Sequence, residues 1–175
     1  KSDIAFFRPA TGFWYVLRSE DLSFYAFPFG TNGDVPVPAD YDGDGRADAA
    51  VYRPSTSTWY INNSGGGTTI TAFGLSGDVP AAADYDGDGK ADVAIFRPSS
   101  GDWWLNRSTA GLIAYRFGQS GDRTTAGDLT GDGTAQSATN TVAYDANNLP
   151  TLTTDPVGNK VQTVYHSQFP FLPEY

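Results

Sequence analysis

Asp40-Tyr41-Asp42-Gly43-Asp44-Gly45-Arg46-Ala47-Asp48 decides the fold, because it returns 44 residues later as Asp84-Tyr85-Asp86-Gly87-Asp88-Gly89-Lys90-Ala91-Asp92. The surroundings return with it. Phe29-Gly30, Phe73-Gly74 and Phe117-Gly118 are spaced by 44, while Arg8-Pro9, Arg53-Pro54 and Arg97-Pro98 are spaced by 45 and then 44. An aromatic patch follows each Arg-Pro: Phe13-Trp14-Tyr15, Trp59-Tyr60 and Trp103-Trp104. A fixed period of this length marks a repeat architecture.

Each unit reads as four short strands: Val35 to Asp40, Asp48 to Arg53 (stopped by Pro54), Thr58 to Asn62, and Thr69 to Phe73. Four antiparallel strands in about 40–45 residues is the size of a β-propeller blade. The fold class expected is therefore all-β, with about three propeller-type blades and a β-rich tail. Ser2 to Pro9 aligns with Ala91 to Pro98, so the first blade begins without its opening strand. A third unit opens at Phe117 and loses the pattern after Gln136, leaving strand-like stretches at Thr139 to Tyr144, Leu149 to Thr153 and Lys160 to Tyr165. We divide the chain into blades over 1–136 and a tail over 137–175, the latter a degenerate blade, a cap or separate hairpins.

The acidic loops carry chemistry. Carboxylates at loop positions 1, 3, 5 and 9, with glycine at 6 to close the curve, turn hard oxygen ligands toward one point. The expected ligands are Asp40, Asp42, Asp44, the Arg46 carbonyl and Asp48, then Asp84, Asp86, Asp88, the Lys90 carbonyl and Asp92. That donor set suits Ca²⁺ better than Mg²⁺, which demands a strict octahedron. An EF-hand is excluded, because position 12 is Val51 or Ile95 where a bidentate Glu is required. A solvated acidic turn is the alternative, disfavoured because four carboxylates in nine residues repel without a cation. A third loop, Asp128, Thr130, Asp132, Thr134 and Gln136, keeps the glycine and two acids and predicts a weaker site. Asp3 matches position 9 of a further loop.

These motifs resemble the FG-GAP/VCBS repeat family, over roughly Asp3 to Ala138. The resemblance implies calcium-binding, extracellular β-propellers, usually of six or seven blades, that serve in adhesion, glycan binding or as shells of larger secreted proteins. The tail, with Tyr144-Asp145, Asp155-Pro156-Val157-Gly158-Asn159 and Val164-Tyr165, is similar to YD/RHS repeats of bacterial toxins.

Composition narrows the function. Of 175 residues, 20 are acidic and 11 basic, a net charge of −9 that argues against nucleic acid or an anionic membrane as partner. Only Glu20 and Glu174 are Glu, so the acids sit in turns rather than on helices. No apolar run is long enough for a membrane helix. Absence of Cys excludes disulfides and thiolate chemistry; absence of Met points to a processed chain or a piece of a longer one. His166 is the only histidine, so a Ser–His–Asp triad would have to be built in the tail, and no enzyme is expected. Asn62 and Asn106 head glycosylation triplets. Trp14, Trp59, Trp103 and Trp104 read as packing between blades in preference to sugar platforms. Arg8, Arg53 and Arg97 read as internal partners of Asp34, Asp78 and Asp122. The expectation is a non-enzymatic, calcium-stabilised structural or adhesive module, outside the cell or at its surface. Open blade edges suggest self-assembly into a ring or fibre, unless the chain is part of a longer polypeptide. The alternatives are a lectin-like propeller with a glycan ligand and a shell fragment of an RHS-type toxin.

Overall fold

The computed structural model describes residues 2–125 throughout and, beyond them, the strands named below. Two compact units make up the chain, Lys1–Gly133 and Thr134–Tyr175. No helix occurs among the described residues.

The first unit holds three antiparallel sheets, each a simple meander. Blade one comprises β1 (Ile4–Arg8), β2 (Phe13–Leu17) and β3 (Phe24–Pro28); blade two comprises β4 (Val35–Pro36), β5 (Ala49–Arg53), β6 (Thr58–Asn62) and β7 (Thr68–Ala72). Blade three repeats the four-stranded form with β8 (Val79–Pro80), β9 (Val93–Arg97), β10 (Asp102–Arg107) and β11 (Gly111–Arg116). The β-propeller-like, all-β architecture read from the period is thus present. In the second unit, β12 (Thr141–Tyr144), β13 (Pro150–Thr154) and β14 (Lys160–Gln162) form one sheet, and β15 (Tyr165–His166) pairs with β16 (Phe169–Pro173).

The opening strand is shorter than the expected run from Val35 to Asp40. Beyond Pro36 the pairing survives as Val37 N–H to Ala50 O at 2.8 Å and an isolated bridge from Ala39 to Asp48, and Pro36 and Pro38 sit where the N–H would face away from the second strand. That interruption releases the chain into the acidic loop.

The core lies between blades. Strand alternation turns Ala50, Tyr52, Trp59 and Ile61 of blade two to one side, and they form a single buried cluster with Val93 and Ile95 of blade three. The last strand of each blade faces solvent on nearly every residue.

One hydrogen-bond pattern explains why Trp and Phe-Gly share a period. The indole N–H of Trp14 donates to Phe29 O at 2.8 Å, that of Trp59 to Phe73 O at 3.1 Å, and that of Trp103 to Phe117 O at 2.6 Å. Each Phe N–H in turn donates to the turn before the tryptophan strand, on Gly12, Ser57 and Gly101 respectively. The glycine after each Phe is required: Gly30 sits at φ 121°, and a Cβ there would meet the Phe7 ring and Val51 at 3.0–3.3 Å.

Arg53 forks onto Asp34 through Nε at 2.8 Å and Nη2 at 2.9 Å, and Arg97 grips Asp78 in the same way. The two carboxylates are buried, so the bidentate pairing is what makes their charge tolerable. Among the described residues, Arg8 and Asp122 have no such partner.

Candidate metal centre

Each acidic loop connects the opening strand of a blade to its second strand, and the backbone folds it by wrapping N–H groups around its own carboxylates. Asp40 accepts from Gly43 N at 2.7 Å and Gly45 N at 2.8 Å; Asp84 accepts from Gly87 N at 2.7 Å and Gly89 N at 2.9 Å. Gly45 and Gly89, at φ 84° and 87°, take the left-handed turn that the motif predicted. Asp48 and Asp92, both 1% exposed, anchor the end of the loop. Asp48 accepts from Tyr41 N at 2.8 Å and Ser64 N at 2.7 Å, and Asp92 from Tyr85 N at 2.9 Å and Ser108 N at 2.7 Å.

Carboxylate oxygens of Asp40, Asp42 and Asp48 come within 4.8 Å of one another, as do those of Asp84, Asp86 and Asp88. These clusters can hold a metal ion. Asp44 and Asp92 stand outside their clusters, although Asp88 takes the Ser108 hydroxyl as Asp44 takes that of Ser64, and Asp48 accepts the same two N–H contacts as Asp92. The third loop, Asp128, Thr130, Asp132, Thr134 and Gln136, lies outside the described residues.

Two features indicate that the clusters fit a cation. Like charges at this spacing repel by about 1 kcal/mol per pair in water and several-fold more at a protein surface. Secondly, Asp86 Oδ1 is buried within its cluster with no hydrogen-bond partner, while its Oδ2 accepts from Thr109 N, Thr109 Oγ1 and Ala110 N at 3.2, 2.8 and 2.9 Å. A buried carboxylate oxygen without a hydrogen-bond partner can take a water or a cation, whereas in the first loop the equivalent Asp42 Oδ1 accepts from Asp44 N at 3.1 Å.

The electrostatics agree with this division. The Ser64 hydroxyl, then the Arg46 N–H, hold Asp44 below the usual carboxylate range. Burial, with the Asp86 charge as a smaller contribution, pushes Asp92 up against the hydrogen bonds from Ser108 and Tyr85. Burial and the Asp92 charge raise the Tyr85 phenol to about 12.

Sequence reading missed the hairpin that closes each site from the far side of the blade. Ser64 and Gly65, between β6 and β7, reach Asp44, Asp48 and Asp42; Ser108, Thr109 and Ala110, between β10 and β11, reach Asp88, Asp92 and Asp86. The signal was present. Ser19, Ser64 and Ser108 recur at 45 and 44 residues, and the last two were read only as parts of glycosylation triplets. Ser19 repeats the contact in blade one, donating its N–H to Asp3 at 2.8 Å. The loops also touch each other: Ala91 N donates to Asp40 O at 2.6 Å.

The tryptophans read as packing are so placed in two cases, Trp14 being 4% and Trp59 0% exposed. Their rings are unavailable for stacking on a sugar.

Residues 40–95, which span the first loop, β5 to β8 and the second loop, match the family model described as FG-GAP-like repeat. Over those residues the chain is similar to an FG-GAP-like repeat. Its matched span runs from the first carboxylate of one loop to β9 of the next blade, so the repeat contains both sites and the core between them. Among solved structures, the chain is similar to one described as "Streptogramin B lyase structure", with 12% sequence identity and a TM-score of 0.45. That similarity covers 91% of this chain and 50% of the other, so the chain spans half the length of that protein. A search of curated proteins returns no match.

Proposed function

We propose that this FG-GAP-like repeat chain is a non-enzymatic structural or adhesive module whose blades are held in shape by Ca²⁺ outside the cell. The observation that carries the reading is the bare Asp86 Oδ1 inside a three-carboxylate cluster, on a loop that occurs twice. Asp40, Asp42 and Asp48 would hold one ion, and Asp84, Asp86 and Asp88 the other. An ion there neutralises the loop and ties the opening strand of a blade to the second strand and, through Ser64 or Ser108, to the hairpin beyond.

The proposed compartment rests on the proposed affinity. Asp84 is exposed, and the two clusters lie in surface turns rather than in a closed cage. Extracellular calcium modules bind with dissociation constants of about 10⁻⁴–10⁻³ M, and these open clusters would fall in that range. They fill where calcium is millimolar and stay empty where it is buffered far lower.

Titration calorimetry of the chain tests the assignment. Calcium is expected to bind with a dissociation constant of about 0.1–1 mM, and magnesium at least about tenfold more weakly, because it dehydrates reluctantly and tolerates only octahedral geometry. Equal affinity for the two ions, or no heat with either, would end the proposal.

A further inference from the structure

Asparagine or aspartate followed by glycine has a chemical weakness, because the glycine nitrogen, unshielded by a side chain of its own, can attack the side-chain carbonyl before it. Among the described residues such steps are Asn32-Gly33 and, in the acidic loops, Asp42-Gly43, Asp44-Gly45, Asp86-Gly87 and Asp88-Gly89. The loops disarm theirs. Gly43 and Gly45 give their N–H groups to Asp40, and Gly87 and Gly89 give theirs to Asp84, at 2.7–2.9 Å. A nitrogen held in this way neither loses its proton readily nor turns toward the preceding side chain. The other described asparagines are covered too. Asn63 N, after Asn62, donates to Gly67 O at 3.0 Å, and Ser64 N, after Asn63, donates to Asp48 at 2.7 Å. Arg107, after Asn106, lies in the β10–β11 ladder opposite Gly111.

Asn32-Gly33 has no such protection. It is the tip of the turn that leads from blade one into the opening strand of blade two. That turn is closed by Asp34 N–H on Thr31 O at 3.2 Å and by Thr31 N–H on Asp34 Oδ2 at 2.9 Å. Both tip residues are exposed, and among the described residues neither the Gly33 N–H nor the Asn32 side-chain amide has a hydrogen-bond partner. A Cβ built on Gly33 would meet nothing within 4 Å. Rotation of the Asn32–Gly33 peptide, which the attack requires, therefore meets no obstacle. The equivalent turns carry Ser76-Gly77 and Ser120-Gly121, with the glycines at φ 89° and 98° against 89° for Gly33, so they share the conformation without the amide.

We propose that Asn32 is a site of spontaneous deamidation and isoaspartate formation, and that its conversion loosens blade two. Gly33 N gives its proton to solvent base and bonds to Asn32 Cγ; the Cγ–Nδ2 bond breaks and ammonia leaves. Water then opens the cyclic imide at either carbonyl. Opening at Cγ leaves aspartate. Opening at the main-chain carbonyl leaves isoaspartate, with the backbone rerouted through Cβ and Cγ and longer by one atom. No oxidant, enzyme or metal enters, so the outcome is read apart from calcium binding. The extra atom falls inside the turn that presents Asp34, which is 5% exposed, to Nε and Nη2 of Arg53. Both products also add a negative charge beside that carboxylate. The longer turn disturbs the fork that makes the buried Asp34 charge tolerable and, directly after it, the strand Val35–Pro36.

Incubation of the full chain in mildly alkaline buffer, folded and in urea, followed by peptide mapping with mass spectrometry, tests it. Asn32 is expected to be lost in the folded chain at a rate comparable to that in urea, while the Asp-Gly steps of the acidic loops fall far below their own rates in urea. Asn32→Ser, which places the residue of the two equivalent turns, abolishes the converted form. The isoaspartate form is expected to melt at least about 2–4 °C below the unconverted chain, and Asn32→Asp, with the charge but not the longer backbone, by less. Three results would each overturn the proposal: survival of Asn32 in the folded chain through a period that consumes it in urea, loop steps that isomerise in the folded chain as fast as in urea, or an isoaspartate form that melts with the wild type.

Discussion

Addition of EGTA to the chain in about 10 mM calcium is expected to lower its melting temperature by about 10–20 °C. At an affinity of about 0.1 mM, this concentration is about a hundred times the dissociation constant, and each site stabilises the folded state by about 2.7 kcal/mol. Two sites contribute twice that, and a domain of this size shifts by about 2–4 °C per kcal/mol. The carboxylates of Asp40, Asp42 and Asp48, and of Asp84, Asp86 and Asp88, then face one another uncompensated across 4.8 Å or less. Without disulfides, nothing covalent holds the opening strands, which pair over only two residues each. Superimposable curves with and without chelator would show that the loops hold no ion that matters to folding.

Replacing Trp59 by alanine is expected to cost about 3–5 kcal/mol, measured as a fall in the urea midpoint at unchanged slope. The ring is fully buried, lies 5.3 Å from Tyr52 and belongs to the cluster that joins blade two to blade three. Its removal also strips the Phe73 carbonyl of the indole N–H. Against a total stability of about 5–15 kcal/mol, this loss leaves the domain marginal. Trp59→Phe keeps most of the packing and loses the hydrogen bond, for about 1–2 kcal/mol. An alanine variant within 1 kcal/mol of the wild type, on the order of a surface change, would place the core elsewhere.

The period made the blades legible, because every element that sets it is a contact within or between sheets. Phe-Gly, Trp and Arg-Pro recur because the Phe carbonyl takes the indole, the glycine admits the next blade and the arginine takes the aspartate of the opening strand. The loop motif was legible for the same reason, since its spacing is its backbone folding. Less legible was the division of labour among the acids. Asp44 and Asp92 share the motif and lie outside the clusters, while their counterparts Asp88 and Asp48 accept the same kinds of hydrogen bond and lie within them. The hairpin donors Ser64 and Ser108 lie 20 and 16 residues from Asp44 and Asp92 in the chain, and only the strand pairing brings them close. The opening strand is shorter than the alternation through Val37 suggests, in blade three as in blade two, so its end is not written in the apolar pattern. Arg8 and Asp122 carry the period, and among the described residues neither makes the ion pair that Arg53 and Arg97 make.

Anomalous diffraction from crystals grown in millimolar calcium tests the central claim most directly. The account predicts one anomalous peak in each acidic loop, about 2.3–2.6 Å from the nearest oxygens of Asp40, Asp42 and Asp48 and of Asp84, Asp86 and Asp88. Asp86 Oδ1 should be among the ligands. Loops that contain only water at that concentration, with the Asp86 oxygen still bare, would contradict it.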